Sequence, residues 1–289
     1  MLNIRYLIVS LAAVFLALGI GIFIGFMFDG QEIFINQQET LVRQLESKFG
    51  EIREEKEVLE EEIELQRKQL KNYEEYSENT LPLLINTKLQ DTNIAIIETN
   101  DDYIYNGIIS PIEKAQGNIT SITYVKKDFL LEDSKMLEEV YDYFVNKKGI
   151  SIDKNNFIQY LSDELARAIL DQDEEILQYL KEKEIIEIKG DYSSTIDYFI
   201  IAGGSASEKT KTIEKIDIPF IKKAKQYNIP IVGIEQSNVR YSYMDAYRKE
   251  KISTIDNVDT IIGQYSLIQV MQGQEGNFGF KTSADRLIP

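Results

Sequence analysis

The stretch AGGS at 202–205 ends a run of β-branched and aromatic residues, TIDYFIIAG, and precedes a helical pattern. Backbone amides at a glycine turn between strand and helix can hold an anion. Gly203, Gly204 and Ser205 are therefore a candidate ligand turn, although the same glycines also serve simply to reverse the chain. The spacing is not G-x-G-x-x-G, and no P-loop lysine motif is present. A second polar group is acidic. Glu235 ends IPIVGIE, and Asp256 and Asp259 flank DNVD. Such carboxylates can bind a hard cation, cap helices or stay solvated. The absences narrow the chemistry further. With no His and no Cys, the chain lacks the imidazole base, His-dependent triads, disulfides, and His or Cys zinc sites. Catalysis would have to rest on carboxylate, Lys, Tyr or Ser. No catalytic residue, metal or cofactor is assigned, and the expectation is a protein that is not an enzyme.

These residues need a sheet to position them. Runs at 93–99, 119–125, 184–190, 195–203, 229–235 and 252–258 read as strands. Helical patterns lie between them, near 103–115, 133–147, 153–182, 207–227, 240–250 and 260–272. This alternation predicts a doubly wound, mostly parallel α/β domain of Rossmann-like type over 82–289. The apolar cores IAII and YFIIA suit strands buried on both faces. The stretch 153–182 predicts two helices broken near Asp171–Asp173. Ligands of such a sheet sit beyond the carboxyl ends of its strands, where Gly203–Ser205 and Glu235 fall. The 17 tyrosines are expected at the core rim or on a partner surface.

Upstream, residues 6–28 carry no charge. At ~1.5 Å per residue they form roughly 34 Å of helix, enough to cross a hydrocarbon core of ~30 Å. The apolar run is longer than a signal core and no A-x-A site follows, so an uncleaved single-pass anchor is expected. Arg5 precedes it and Asp29 and Glu32 follow it. That asymmetry places residues 1–5 in the cytoplasm and the bulk of the chain outside it, at the cell membrane. Ala13, Ala17, Gly21 and Gly25 recur every fourth residue and form a stripe on which another membrane helix can pack closely.

Residues 31–80 are rich in Glu, Gln, Lys and Leu, which predicts a coiled-coil stalk. A heptad started at Val42 puts Val42, Phe49, Lys56, Ile63 and Leu70 at a and Leu45, Ile52, Leu59, Gln66 and Tyr73 at d, with Lys56 and Gln66 the two polar exceptions. The helix is expected from about Ile33 to Tyr76, with Pro82 limiting it. In a parallel homodimer Lys48 would face Arg53 and Glu55 would face Glu60, both repulsive; only Glu62 and Arg67 attract. Self-pairing is weakly specified, and a heteromeric coil, a homodimer and a lone helix all stay open. The net charge of −16 argues against nucleic acid and anionic lipid as partners. The five methionines are scattered, with no M-x-x-M pair.

Two stretches carry a family resemblance: IRYLIVSLAAVFLALGIGIFIG at the N-terminus and AYRKEKISTIDNVDTIIGQYSLIQVMQGQEGNFGFK at 246–281. Together they resemble the mycobacterial copper transport protein B family, which includes septation-linked envelope proteins of corynebacteria. The matching positions are Tyr247, Arg248, Asp256, Asn257, Asp259, Gly276, Gly279 and the adjoining residues to Lys281. The resemblance implies the order short N-terminus, anchor, coiled coil and extracytoplasmic α/β domain. It also implies copper transport, with some members acting as pores, or envelope work in which an anchored coil meets a membrane partner and influences division or wall hydrolysis. The reading that joins this with the residues is a cell-envelope scaffold that binds a membrane or envelope protein through anchor and stalk. Copper transport or resistance by a homo-oligomeric pore is the alternative.

Overall fold

A computed structural model describes residues 4–99, 101–208 and 211–289; the side chains of residues 4 and 28–37, Asp29 and Glu32 among them, lie outside that description. Two units divide the chain, Met1–Tyr73 and Glu74–Pro289. The first helix, α1 (Ile4–Ile85), supplies the described residues of the first unit and opens the second.

Pro82 does not end this helix, which continues through it to Ile85. Proline removes one amide donor and strains the preceding turn. Here Pro82 opens the last turn of the helix, and Leu81, Ile85 and the following Leu89 are buried in the sheet's core. Docking of these three side chains outweighs the lost hydrogen bond.

The second unit is built on a sheet of seven strands in the order β3-β2-β1-β4-β5-β6-β7. These are β1 (Asn93–Glu98), β2 (Asn118–Val125), β3 (Ile186–Gly190), β4 (Tyr198–Ala202), β5 (Ile231–Ile234), β6 (Ser253–Ile255) and β7 (Asn277–Phe278). The helices are α2 (Ile109–Lys114), α3 (Ser134–Asp142), α4 (Phe157–Leu170), α5 (Glu174–Glu182), α6 (Ile218–Gln226), α7 (Met244–Lys249) and α8 (Ile261–Met271). The sheet separates two cores, as a doubly wound arrangement requires. Ala95, Ile97, Phe199 and Ile201 face one core, with Leu161, Leu165 and Phe220 from α4 and α6. Their neighbours Ile94, Ile96, Tyr198 and Ile200 face the other, with Ile85, Ile112 and Leu267 from α1, α2 and α8. Alternation along a strand sends successive side chains to opposite faces, and both faces are apolar because both are covered.

Several expectations need correction. β3 runs antiparallel to β2. It follows α5 after a tight turn in which Glu184 has φ +58°, and much of it is exposed, as an antiparallel edge allows. The helix expected over 240–250 is reduced to α7, because Tyr241 pairs in an isolated bridge with Ser205. The pattern near 103–115 resolves into a 3-10 turn (Asn106–Ile108) and α2. π turns at Tyr143–Lys147 and Ile213–Asp217 extend α3 and lead into α6. β7 has no counterpart among the expected strands; two residues among glycines show no periodicity.

Candidate functional site

From β1 the chain moves outward to β2 and β3, then returns to the other side of β1 as β4. The carboxyl ends of β1 and β4 thus flank the place where ligands of such sheets bind. Here that place is filled by the protein itself. The Tyr105 hydroxyl donates to the Gly203 carbonyl. The amide of Gly203 donates to Ile234 (3.0 Å) and that of Ser205 to Tyr241 (3.0 Å). The Ala206 amide and the Ser205 hydroxyl both donate to Asp102, each at 3.0 Å. These donors of the turn are committed to internal acceptors. Gly203 lies against Tyr243 and Tyr247, so a Cβ at this position would overlap both rings.

The carboxylates at neighbouring strand ends are likewise engaged, and separately. Fully buried Glu235 accepts from Ser242 Oγ (2.6 Å), Lys281 Nζ (2.7 Å) and the Tyr243 amide (3.1 Å). Burial pushes its carboxyl up, and Lys281 and Ser242 oppose the shift. Asp256 accepts the amides of Phe280 (2.7 Å) and Lys281 (2.8 Å). Asp259 accepts the Ser237 amide (2.6 Å) and hydroxyl (2.7 Å). Asn257 is buried, and its carbonyl accepts from Thr260, the N-cap of α8. Among the described residues no group of three or more acids forms a cation cradle.

The motif residues near the C-terminus converge on one assembly, a strap over the edge of β6. Gly276 and Phe278 accept the amides of Thr254 (3.1 Å) and Asp256 (3.1 Å). Arg248 donates to Ser283 O (3.1 Å) and Asp285 (2.7 Å). Gly279 has φ +140° and presses on the Asp256 carboxylate, where a side chain would collide. Tyr247 points the other way and donates to Asp217 (2.6 Å).

Sequence reasoning did not single out two of the buried acids here. Glu98 ends β1 and Asp217 sits in the π turn before α6. Burial pushes each carboxyl up to about 7, against a backbone hydrogen bond at Glu98 and the Tyr247 hydroxyl at Asp217. An isolated acid within the apolar run IDIPF was the available signal for Asp217.

In the first unit, Arg5–Met27 is long and apolar enough to cross a membrane. A Cβ at Gly21 or Gly25 would meet nothing within 4 Å, so that part of the Ala13–Ala17–Gly21–Gly25 stripe is open. The heptad residues Val42, Leu45, Phe49, Ile52, Leu59, Ile63 and Leu70 are each 47–66% exposed. Charges beside them pair along the helix, Lys48 with Glu51 (2.6 Å) and Lys56 with Glu60 (3.2 Å).

A protein-family model described as "Copper transport outer membrane protein, MctB" matches residues 1–289, the whole chain. A search of curated proteins gave no match.

Proposed function

The chain belongs to the MctB family, and from that premise we propose that it is a non-enzymatic, membrane-anchored envelope scaffold. The observation that carries this reading is the exposed heptad face of α1. Seven large apolar side chains from Val42 to Leu70 stand in water on one helix. Soluble surfaces rarely expose so continuous an apolar strip unless something covers it. A two-stranded coil with a partner helix is the geometry that this period supports. In the membrane, the stripe Ala13, Ala17, Gly21 and Gly25 offers the same partner a close approach. The committed amides and carboxylates at the sheet's carboxyl edge favour a structural role for that region over catalysis. The partner we infer is a membrane protein of the division or wall-hydrolysis machinery, met on the extracytoplasmic side.

The family description favours a second reading, copper transport through an oligomer. Copper is best held by Cys, His and Met. This chain has neither Cys nor His, and Met244 and Met271 are buried in the two cores. One helix encloses no water-filled path, so this reading needs several copies.

A single experiment separates the two. The intact protein is purified from membranes beside the Gly21→Leu/Gly25→Leu variant, which keeps its hydrophobic length. Recovery of a distinct membrane protein with the wild type, reduced severalfold with the variant, supports the scaffold. Recovery of the chain alone, as a defined oligomer that conducts or binds copper, overturns it in favour of transport.

A further inference from the structure

The opposite edge of the sheet is open. A groove of about 700 Å³ crosses the amino ends of β4, β5, β6 and β7, within the range of small-ligand sites. Its rim carries Lys225 from the end of α6, Arg248 from α7 and Lys251 just beyond α7, against one lining carboxylate, Glu275. In a chain of net charge −16 this is a local reversal of sign, and such a concavity concentrates anions.

Some of these cations are already committed. Lys225 donates to the Glu250 carbonyl (2.6 Å), and Arg248 is held by Ser283 and Asp285. Lys251 has no ion pair among the described residues, and neither the Asn228 side-chain carboxamide nor the Tyr198 hydroxyl has a hydrogen-bond partner among them; the Asn228 backbone amide donates to the Lys225 carbonyl (3.0 Å). The Tyr198 ring is largely covered, while its hydroxyl stays open to solvent at the groove, available to a bound group. Asn228 and Lys251 occupy left-handed positions at the ends of α6 and α7, with φ +56° and +57°. Their backbones are thus set at the groove by the two helix termini. Ile229 and Pro230 supply an apolar wall beside these polar groups.

We propose that this groove binds an acidic saccharide. The anionic group lies between Lys251 and Lys225, and sugar hydroxyls meet Tyr198, Asn228 and Glu275. A carboxylate, as in a uronic acid, and a phosphate, as in a sugar phosphate, share the chemistry the cations recognise.

The test is calorimetric titration of the full chain in zwitterionic nanodiscs with glucuronate, glucose 6-phosphate, glucose and inorganic phosphate. At least one acidic sugar is expected to bind, with neutral glucose and inorganic phosphate at least tenfold weaker. Lys251→Glu, on an exposed side chain, is expected to weaken binding at least tenfold. Tyr198→Phe, which keeps the ring, is expected to weaken it severalfold. Binding of glucuronate alone assigns the carboxylate source, and binding of glucose 6-phosphate alone the phosphate source. No binding of either acidic sugar, equal binding of inorganic phosphate, or affinities unchanged in both variants would overturn the proposal.

Discussion

Asp217 and Glu98 keep their protons in the folded protein at a pH where the unfolded chain has lost them. Burial raises both carboxyls to about 7, from ordinary values of 3.8 and 4.5. The folded state therefore binds more protons between about pH 4 and 7. The stability these groups contribute is complete below that range and is lost as pH rises through it. At about 1.4 kcal/mol per pH unit, the losses are roughly 4 kcal/mol for each group. Asp217→Asn mimics the protonated acid and can still accept from Tyr247. Melting of the full chain, followed by its near-ultraviolet tyrosine signal, should show a shallower fall from pH 4 to 7 in this variant and a higher melting point at pH 7. Parallel pH curves for variant and wild type would show that Asp217 ionises freely in the fold.

Elements with strong local signals were legible in the sequence. The apolar runs of β1 and β4 announced strands covered on both faces. The break between α4 and α5 was visible in Asp171–Asp173, where Gln172 takes φ +59° and Asp173 caps α5 by accepting the Ile176 amide (3.2 Å). Elements decided by distant contacts were not legible. The proline rule failed at Pro82 because burial of Leu81 and Ile85 overrode it. β7 exists only through its pairing with Thr254 and Ile255. The candidate turn at Gly203–Ser205 follows the end of β4, but its filling by Tyr105 and by Tyr241 and Tyr247 comes from two stretches distant in sequence and leaves no local pattern. The apolar face of α1 was readable from its period. Because the chain lacks Cys, Leu59→Cys introduces a single thiol at a d position. In native membranes, oxidation is expected to link it to a different protein with a cysteine at the facing position, or to leave it unlinked. A self-linked dimer as the sole product would place two copies of this chain in the coil.

At the scale of the whole molecule, charge and hydrophobicity are sharply partitioned. The apolar residues exposed in bulk lie in Arg5–Met27 and along the heptad, and the rest of the chain is acidic enough for a sequence pI near 4.6. An outward-facing α/β unit is the expectation from the charge asymmetry about the span, and it is open to test. Asn238→Cys puts a lone thiol on an exposed loop of that unit, and a membrane-impermeant maleimide is expected to label it in intact cells. Labelling only after lysis would reverse the orientation. The strap has a consequence for how the chain is made. β6 receives its outer neighbour from Asn277–Phe278, buried Glu235 receives its counter-ion from Lys281, and Gly279 is tied to the carbonyl of Arg286 (3.1 Å). During vectorial synthesis, β6 lacks its outer neighbour and Glu235 its counter-ion until residues 277–286 have emerged. Closure of this sheet edge therefore waits on residues 277–286, well after β1 to β6 have been made.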